Sequence, residues 1–329
     1  MTARHLLRRA ILAGGAMACA GCAINPPLRV DGMVPAAGID LTRRVPFHPQ
    51  TEYQCGPAAL ATVLGSSGVP ATPESLAPQV YLPGRHGSLQ VELIGATRRA
   101  GRIPYLLPRE PEALFAELQA GRPVLVLQNL LVRSVPKWHY AVLVGADAGR
   151  NRIRLNSGDR RGLPMPAPKF MRTWDWGGRW ALVALKPGEL PASAADPAAY
   201  LAAVADFEAV AGAAAARPAY LAAQRRWPED GRVHMALGNQ AYAGGDKRAA
   251  VAHYREGLAH APGDPVLANN YASVMGELGC RAQALRALDG VRDDGTSTWR
   301  EQLLRTRGEV EAAKARPAAD CAKLALPAR

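Results

Sequence analysis

The chain has 329 residues and a formal net charge of +12, with 48% hydrophobic and 21% charged residues. This length accommodates about two domains, and the composition excludes a wholly disordered or collagen-like chain. The basic residues are scattered rather than gathered on one helix or among aromatic residues. We therefore predict no nucleic-acid partner.

The first 22 residues have the pattern of an export signal, with basic residues, a short apolar run over residues 10–20 and a cysteine. The run is too short to cross a bilayer, which needs about 20 apolar residues. The segment Cys19-Ala20-Gly21-Cys22 resembles a bacterial lipobox. This resemblance implies a signal peptide over residues 1–22 and a membrane anchor on Cys22, with Cys19 as the rival acceptor. The alternative is a secretory signal with an incidental cysteine.

The residues after the signal predict where the protein resides. Residues 23–43 are rich in Pro, Gly and Ala and are expected to form a tether. Ala23 resembles the residue that directs Gram-negative lipoproteins to the outer membrane, which implies an exported, lipid-anchored protein on its periplasmic face. In an oxidising compartment Cys280 and Cys321 can pair, and we expect Cys55 to stay free.

Residues 45–64 join an extended, proline-marked stretch to a helix that begins near a cysteine. Pro57 suits the first helical turn, so Cys55 is predicted at the helix N-terminus. The helix dipole and the free N–H groups there favour a thiolate, and we expect a lowered thiol pKa. Gly56 is expected to let a reacting carbonyl approach the backbone. A nucleophilic thiol also needs a base, which is usually His.

Of the seven histidines, only His139 lies where a rigid element would present it to a cleft. It opens a buried strand over residues 140–144 that ends at Gly145. Three more segments have the pattern of strands, namely residues 124–128, 152–155 and 180–185. We predict an α+β domain in which the helix bearing Cys55 packs against an antiparallel sheet.

Further side chains are candidates for the same site. In papain-like hydrolases a helical Cys and a later His are followed by an Asn or Asp that orients the imidazole. Asn156, at the end of the next strand, is the candidate for that role, and Asp159 is the alternative. Gln50 is the candidate to join the backbone N–H of Cys55 in an oxyanion hole, with Gln54 as its alternative.

Residues 50–60 and 138–142 resemble the double-glycine leader peptidases, which are papain-like cysteine peptidases of bacteriocin exporters that also occur in stand-alone forms. The resemblance covers residues 44–186 and implies a thiol protease that cleaves peptides after small residues, often Gly-Gly, without a cofactor. Two features depart from the family pattern. Gln50 lies five rather than six positions before the cysteine, and Asn156-Ser157 stands where the family has Asp-Pro.

Other clusters in this part of the chain point to no second chemistry. Apart from Cys19-Ala20-Gly21-Cys22 in the predicted signal, the sequence has neither a CxxC nor an HxxxH motif, so no metal is predicted, although His48 and Cys55 could approach each other. Trp174, Trp176 and Trp180 either line a peptide groove or, as is more usual, close a core.

After a linker over residues 187–198, the chain becomes Ala-rich and helical. Aligning it with itself at 34 residues matches Tyr220 with Tyr254 and Pro228 with Pro262. Residues 199–315 therefore resemble tetratricopeptide repeats with a capping helix, and residues 316–329 are expected to be a flexible tail. The resemblance implies a concave face for a protein partner, and the alternative is a helical brace.

The sequence thus predicts an exported, membrane-anchored cysteine peptidase that acts on peptides or proteins and recruits a substrate or partner through its repeats. One alternative is a catalytically inactive adaptor lipoprotein that organises a surface complex. A second alternative is a peptidoglycan amidase or endopeptidase with the same Cys and His pair.

Overall fold

The computed structural model describes residues 28–50, 54–193, 196–291, 298–314 and 321–326. These residues form a mixed α/β domain followed by a series of helices. The strands are β1 (Ile39–Asp40), β2 (Ile103–Leu106), β3 (Val124–Asn129), β4 (Trp138–Asp147), β5 (Arg152–Ser157), β6 (Arg160–Pro166) and β7 (Ala181–Leu185). The helices of the α/β domain are α1 (Cys55–Ser66), α2 (Pro73–Val80), α3 (Gln90–Arg99), α4 (Pro111–Gln119) and α5 (Ala167–Trp176).

The seven strands form one antiparallel sheet in the order β2-β7-β3-β4-β5-β6, with β1 paired to β4. β3 and β7 are buried along their whole length, because they lie in the centre of the sheet and are covered on both faces. The predicted antiparallel sheet is confirmed. β1, β2 and β6 were not predicted, since β1 has two residues and β6 carries two prolines.

Helix α1 is the central helix of this domain. Its residues from Gly56 to Leu64 are all buried, because it contacts β4 on one side and α2 and α3 on the other. Leu60 and Leu64 have no exposed surface. Complete burial of a Leu side chain contributes about 1.5–3 kcal/mol. The helix that begins at Cys55 is therefore held rigidly against the strand that carries His139.

The expected tether over residues 23–43 is wrong for the part that the structure describes. Leu28, Val30 and Leu41 are buried in the core of the α/β domain. The side chain of Asn151 fixes this segment, since it accepts a hydrogen bond from Val30 N at 3.0 Å and donates one to Leu28 O at 3.0 Å. Apolar residues spaced along a Pro- and Gly-rich stretch were enough to dock it. Residues 23–27 lie outside the described residues, as do residues 1–22 with Cys19 and Cys22.

The second part of the described chain contains three consecutive helix pairs and one further helix. These are α6 (Pro197–Ala211), α7 (Ala213–Arg226), α8 (Gly231–Ala243), α9 (Lys247–His260), α10 (Pro265–Glu277), α11 (Arg281–Asp289) and α12 (Arg300–Ala312). Gly238 lies directly beneath the ring of Tyr254, which leaves no room for a side chain at that position. This packing of a glycine against an aromatic ring agrees with the expected helical repeats. Their assignment as tetratricopeptide repeats stays a prediction.

A buried carboxylate joins the two parts of the chain. Glu117 of α4 has no exposed side-chain surface and lies 2.6 Å from Nε of Arg122. It also accepts hydrogen bonds from the backbone N–H groups of Ala192 at 2.7 Å and Ser193 at 3.3 Å. Helix α6 then packs against β2, where Tyr105 and Tyr200 are in ring contact. The segment predicted as a linker is therefore fixed to the α/β domain at residues 192–193.

The expected flexible tail is also wrong for its described residues, 321–326. Cys321 is buried and forms a disulfide with Cys280, which confirms the pairing suggested by the sequence. Tyr271 donates a hydrogen bond to Leu324 O at 2.8 Å. The disulfide and this hydrogen bond attach residues 321–326 to α10 and to the start of α11.

Among the described residues, no helix combines the length and the apolar character that crossing a bilayer requires.

Candidate active site

A cavity of about 810 Å³ lies between the N-terminus of α1 and the beginning of β4. Three of the predicted site residues, Gln50, Cys55 and His139, line it. The other described lining residues come from residues 85–89, from residues 137–140 and from Gly158. The structure therefore brings the predicted nucleophile and base to one cavity, from elements about 80 residues apart in the chain.

Cys55 is the first residue of α1, as the sequence predicted, and it is the free cysteine among the described residues. Its thiol pKa was expected to be lowered, and this expectation is wrong. Burial raises the pKa above its usual range, although backbone hydrogen bonds from Tyr140 and Gly56 act in the opposite direction. Desolvation disfavours a charged sulfur more than these backbone hydrogen bonds favour it. The thiol is thus protonated at neutral pH.

His139 lies at the beginning of β4, next to an exposed Trp138. Its Nε2 is 2.9 Å from Oγ of Ser157 on β5. Burial, and to a smaller extent the positive charge of Lys137, lowers the pKa of His139 to about 4. The imidazole is therefore neutral at pH 7. With Nε2 bonded to the hydroxyl of Ser157, the other ring nitrogen, Nδ1, is left for proton transfer at the cavity.

Asn156 does not reach His139, contrary to the sequence prediction. Its amide donates to Pro46 O at 3.4 Å and accepts from Gly162 N at 3.0 Å. The register explains this placement, because Asn156 lies opposite Val142 on β4. Opposed residues share a face of the sheet, and successive residues along a strand point to opposite faces. Val142 is three positions from His139, so Asn156 is on the face away from His139. Ser157, one position later, shares the face of the imidazole.

The alternative orienting residue, Asp159, is also not at the cavity. It is exposed in the turn between β5 and β6, and it is not among the described residues that line the cavity. The serine was missed because Ser is rarely considered for this role. The strand pattern indicates the placement of this serine. Ser157 is an even number of positions from Ile153 and Leu155, which are buried, so its side chain is on the same face of the strand as theirs.

Gln50 lies at the cavity and Gln54 does not line it. The backbone of Gln50 donates to Gly158 O at 3.0 Å, and its Oε1 accepts from Gly158 N at 3.1 Å. Its Nε2 is 3.5 Å from Tyr140 O, which is a long and weak hydrogen bond. The amide is therefore held in position by its oxygen, while its N–H donors remain available to a stronger acceptor in the cavity.

Gly56 has a different role from the one expected. A methyl group at this position would overlap the hydroxyl of Ser88 and lie 2.6 Å from Ser88 Cβ. The residue is therefore glycine because the segment ending at Ser88 packs directly on the first turn of α1. Tyr140 donates its hydroxyl to Ser88 O at 3.3 Å and thereby ties the same segment to β4. Residues 85–89 form a fixed wall of the cavity.

The remaining candidates lie elsewhere. Trp174 is fully buried and donates Nε1–H to Trp180 O at 3.0 Å, so this tryptophan closes the core. Trp176 and Trp180 are not among the described lining residues, and the tryptophan at the cavity is Trp138. Among the described residues no group of three or more His, Cys, Asp or Glu side chains has a geometry that could hold a metal ion.

No family model and no curated protein matches the chain. A similar solved structure is the crystal structure described as a "putative C39-like peptidase from Bacillus anthracis", with 20% sequence identity and a TM-score of 0.38. The match covers 45% of this chain and 98% of that chain. The site described above lies in an α+β domain, where a cysteine at a helix N-terminus and a histidine on the adjacent strand line one cavity.

Proposed function

We propose that the chain is a cysteine peptidase that cleaves peptide or protein substrates at the cavity between α1 and β4. The observation that carries this proposal is that Cys55 and His139 line one cavity, with Nε2 of the imidazole bonded to Ser157. A thiol at a helix N-terminus beside a positioned base is the arrangement required for nucleophilic attack on a carbonyl.

The protonation states determine how the pair would act. Because the thiol pKa is raised and the imidazole pKa is about 4, the resting pair is neutral. His139 therefore acts as a general base that takes the thiol proton as Cys55 attacks the scissile carbonyl. The same proton passes to the leaving amine, which departs and leaves an acyl group on Cys55. Water then adds to this thioester with His139 as base, and the carboxylic acid product and free thiol are released.

The tetrahedral intermediate carries a negative oxygen that needs hydrogen-bond donors. The backbone N–H of Cys55 at the start of α1 is one donor, and Nε2 of Gln50 is the second. Exchanging its weak 3.5 Å contact with Tyr140 O for an oxyanion would strengthen the hydrogen bond. Removing one such donor from a hydrolase lowers kcat by about 10²–10³-fold.

Ser157 is a positioning residue in this proposal, since it acts on the substrate only through His139. A hydroxyl fixes the ring but supplies no negative charge to stabilise an imidazolium. The site should therefore be slower than one with a carboxylate at that position.

The location and recruitment functions are further parts of the proposal. The lipobox-like segment ending at Cys22 supports an exported chain anchored to the membrane by lipid, on the periplasmic face of the outer membrane. The helical pairs from α6 to α11 support a surface for binding a substrate or partner protein. Because Glu117 binds the segment that precedes α6, such a partner would be held at a fixed position relative to the cavity.

The experiment that tests the proposal is cleavage of secreted precursor proteins by the parent chain, Cys55→Ala, His139→Gln and a matched control. Ser66→Ala serves as control because Ser66 is at the opposite end of the same helix. We expect cleavage by the parent and Ser66→Ala chains, and none by the other two. Equal processing by Cys55→Ala would contradict the proposal.

The neutral resting pair also supports one competing function, an adaptor with an inactive peptidase fold. Such a chain would cleave no precursor protein and no purified peptidoglycan, yet it would still bind a partner through its helical pairs. Digestion of peptidoglycan by the parent chain, lost in Cys55→Ala, would instead identify a cell-wall amidase or endopeptidase.

A further inference from the structure

The charge of the cavity wall is the feature that the proposed reaction leaves unused. Two cationic side chains, Arg85 and Lys137, are among the residues that line the cavity. No Asp or Glu is among its described lining residues. Within the parts of the chain that the structure describes, neither cation forms an ion pair with a carboxylate. This contrasts with Arg122, Arg179 and Arg232, each of which has a carboxylate partner.

The two cations come from different segments that are both fixed to the reacting pair. Lys137 immediately precedes β4 and is two residues before His139, and its backbone N–H is bonded to Asn129 Oδ1 at 3.0 Å. Arg85 ends a short 3₁₀ turn, Pro83–Arg85, which is closed by a hydrogen bond from Leu82 N to Gly87 O at 2.8 Å.

The turn bearing Arg85 is in turn attached to the nucleophile. Ser88, three residues later, packs on Gly56 next to Cys55 and accepts a hydrogen bond from Tyr140. The backbones that carry both positive charges are thus set by the same contacts that shape the cavity. Burial is the main cause of the lowered pKa of His139, and the nearby positive charge of Lys137 contributes to it in the same direction.

We infer that Arg85 and Lys137 select peptide substrates that carry a carboxylate side chain beside the scissile bond. This inference rests on the proposed peptidase function and names its substrate class. Both cations are exposed, so each ion pair with the substrate is screened by water and salt. Exposed pairs of this kind correspond to at most about a fivefold effect each, and at most about 25-fold for the two together.

The test uses two fluorescein-labelled peptides, Ala-Glu-Gly-Gly-Glu-Ala and its Gln counterpart, Ala-Gln-Gly-Gly-Gln-Ala. Binding is measured by fluorescence anisotropy with the full Cys55→Ala chain, so that no cleavage occurs, and kcat/KM is measured with the parent chain. We expect the Glu peptide to bind about 5- to 20-fold more tightly at low salt, with a smaller preference at high salt.

Charge reversal separates a site from general attraction to a basic protein. Arg85→Glu and Lys137→Glu should remove the preference for the Glu peptide, and the double variant should favour a Lys counterpart. Arg248→Glu, on an exposed part of α9, changes the net charge equally but should leave the preference intact. Equal binding of the Glu and Gln peptides, or an equal loss in Arg248→Glu, would overturn the inference.

The two proposals can fail separately. If the Glu peptide binds more tightly through Arg85 and Lys137 but is never cleaved, the selectivity stands and the peptidase proposal fails. If both peptides are cleaved at equal rates in a Cys55-dependent manner, the peptidase proposal stands and the selectivity is refuted.

Discussion

Replacement of Gly56 by Ala tests the packing that shapes the nucleophile's cavity. The new methyl group would lie 2.6 Å from Ser88 Cβ and overlap the Ser88 hydroxyl. Such overpacking costs about 1–3 kcal/mol. Since Ala favours a helix over Gly by about 1 kcal/mol, part of this cost is offset. We expect Gly56→Ala to lower the free energy of unfolding by at most about 2 kcal/mol.

The structure also predicts how to restore stability. In the double variant Gly56→Ala/Ser88→Gly, both clashing atoms are absent, and the closest remaining atom to the methyl is Leu93 Cδ2 at 3.7 Å, an ordinary contact. The double variant should therefore be more stable than the sum of the two single changes predicts. The expected coupling is about 1–2 kcal/mol.

Urea denaturation of the parent, the two single variants and the double variant measures this coupling. Gly308→Ala is the control, because Gly308 lies in α12 and a methyl group added there would have no atom within 4 Å. It should stabilise the protein by up to about 1 kcal/mol. Additive effects of Gly56→Ala and Ser88→Gly, within about 0.5 kcal/mol, would refute the placement of residues 85–89 on α1.

Three further changes follow from the structure. Ser157→Asp places a carboxylate at Nε2 of His139, which favours the imidazolium and raises the pKa of His139 from about 4. The acid limb of the pH profile of kcat/KM should therefore move to higher pH. In Ser157→Asn the acid limb should stay near pH 4. Glu117→Gln leaves the partly buried Arg122 without its partner and should lower unfolding free energy, measured in urea, by about 2–3 kcal/mol. Cys280 and Cys321 are 41 residues apart in the chain, so reducing their disulfide should lower the free energy of unfolding by about 4 kcal/mol. The change is measured from the loss of helical signal on heating.

The site pair was predictable because it depends on local patterns. A proline after the cysteine identified the start of α1, and the apolar run after His139 identified β4. Each pattern repeats over several residues, so the predicted sheet and helix survived small errors in their bounds. That Cys55 and His139 line one cavity is a property of the tertiary structure, which the periodicity of a sequence does not show. The order of Cys and His in papain-like enzymes suggested it.

The errors arose where one residue decided the outcome. Asn156 and Ser157 are adjacent, and a shift of one position along a strand moves a side chain to the opposite face. A Pro- and Gly-rich composition is typical of a tether, and it does not reveal that Leu28 and Val30 are buried in the core. The raised pKa of Cys55 depends on desolvation by residues distant in sequence, and a helix N-terminus alone does not reveal it.

The most direct test of the cooperation between Cys55 and His139 is the rate at which a Gly-Gly chloromethyl ketone alkylates Cys55 at pH 7, followed by mass spectrometry. General-base assistance contributes about 10²–10⁴-fold. Alkylation should therefore be at least about 100-fold faster in the parent chain than in a folded His139→Gln variant. Equal rates in the two chains would contradict the account, because the thiol would then react without the imidazole.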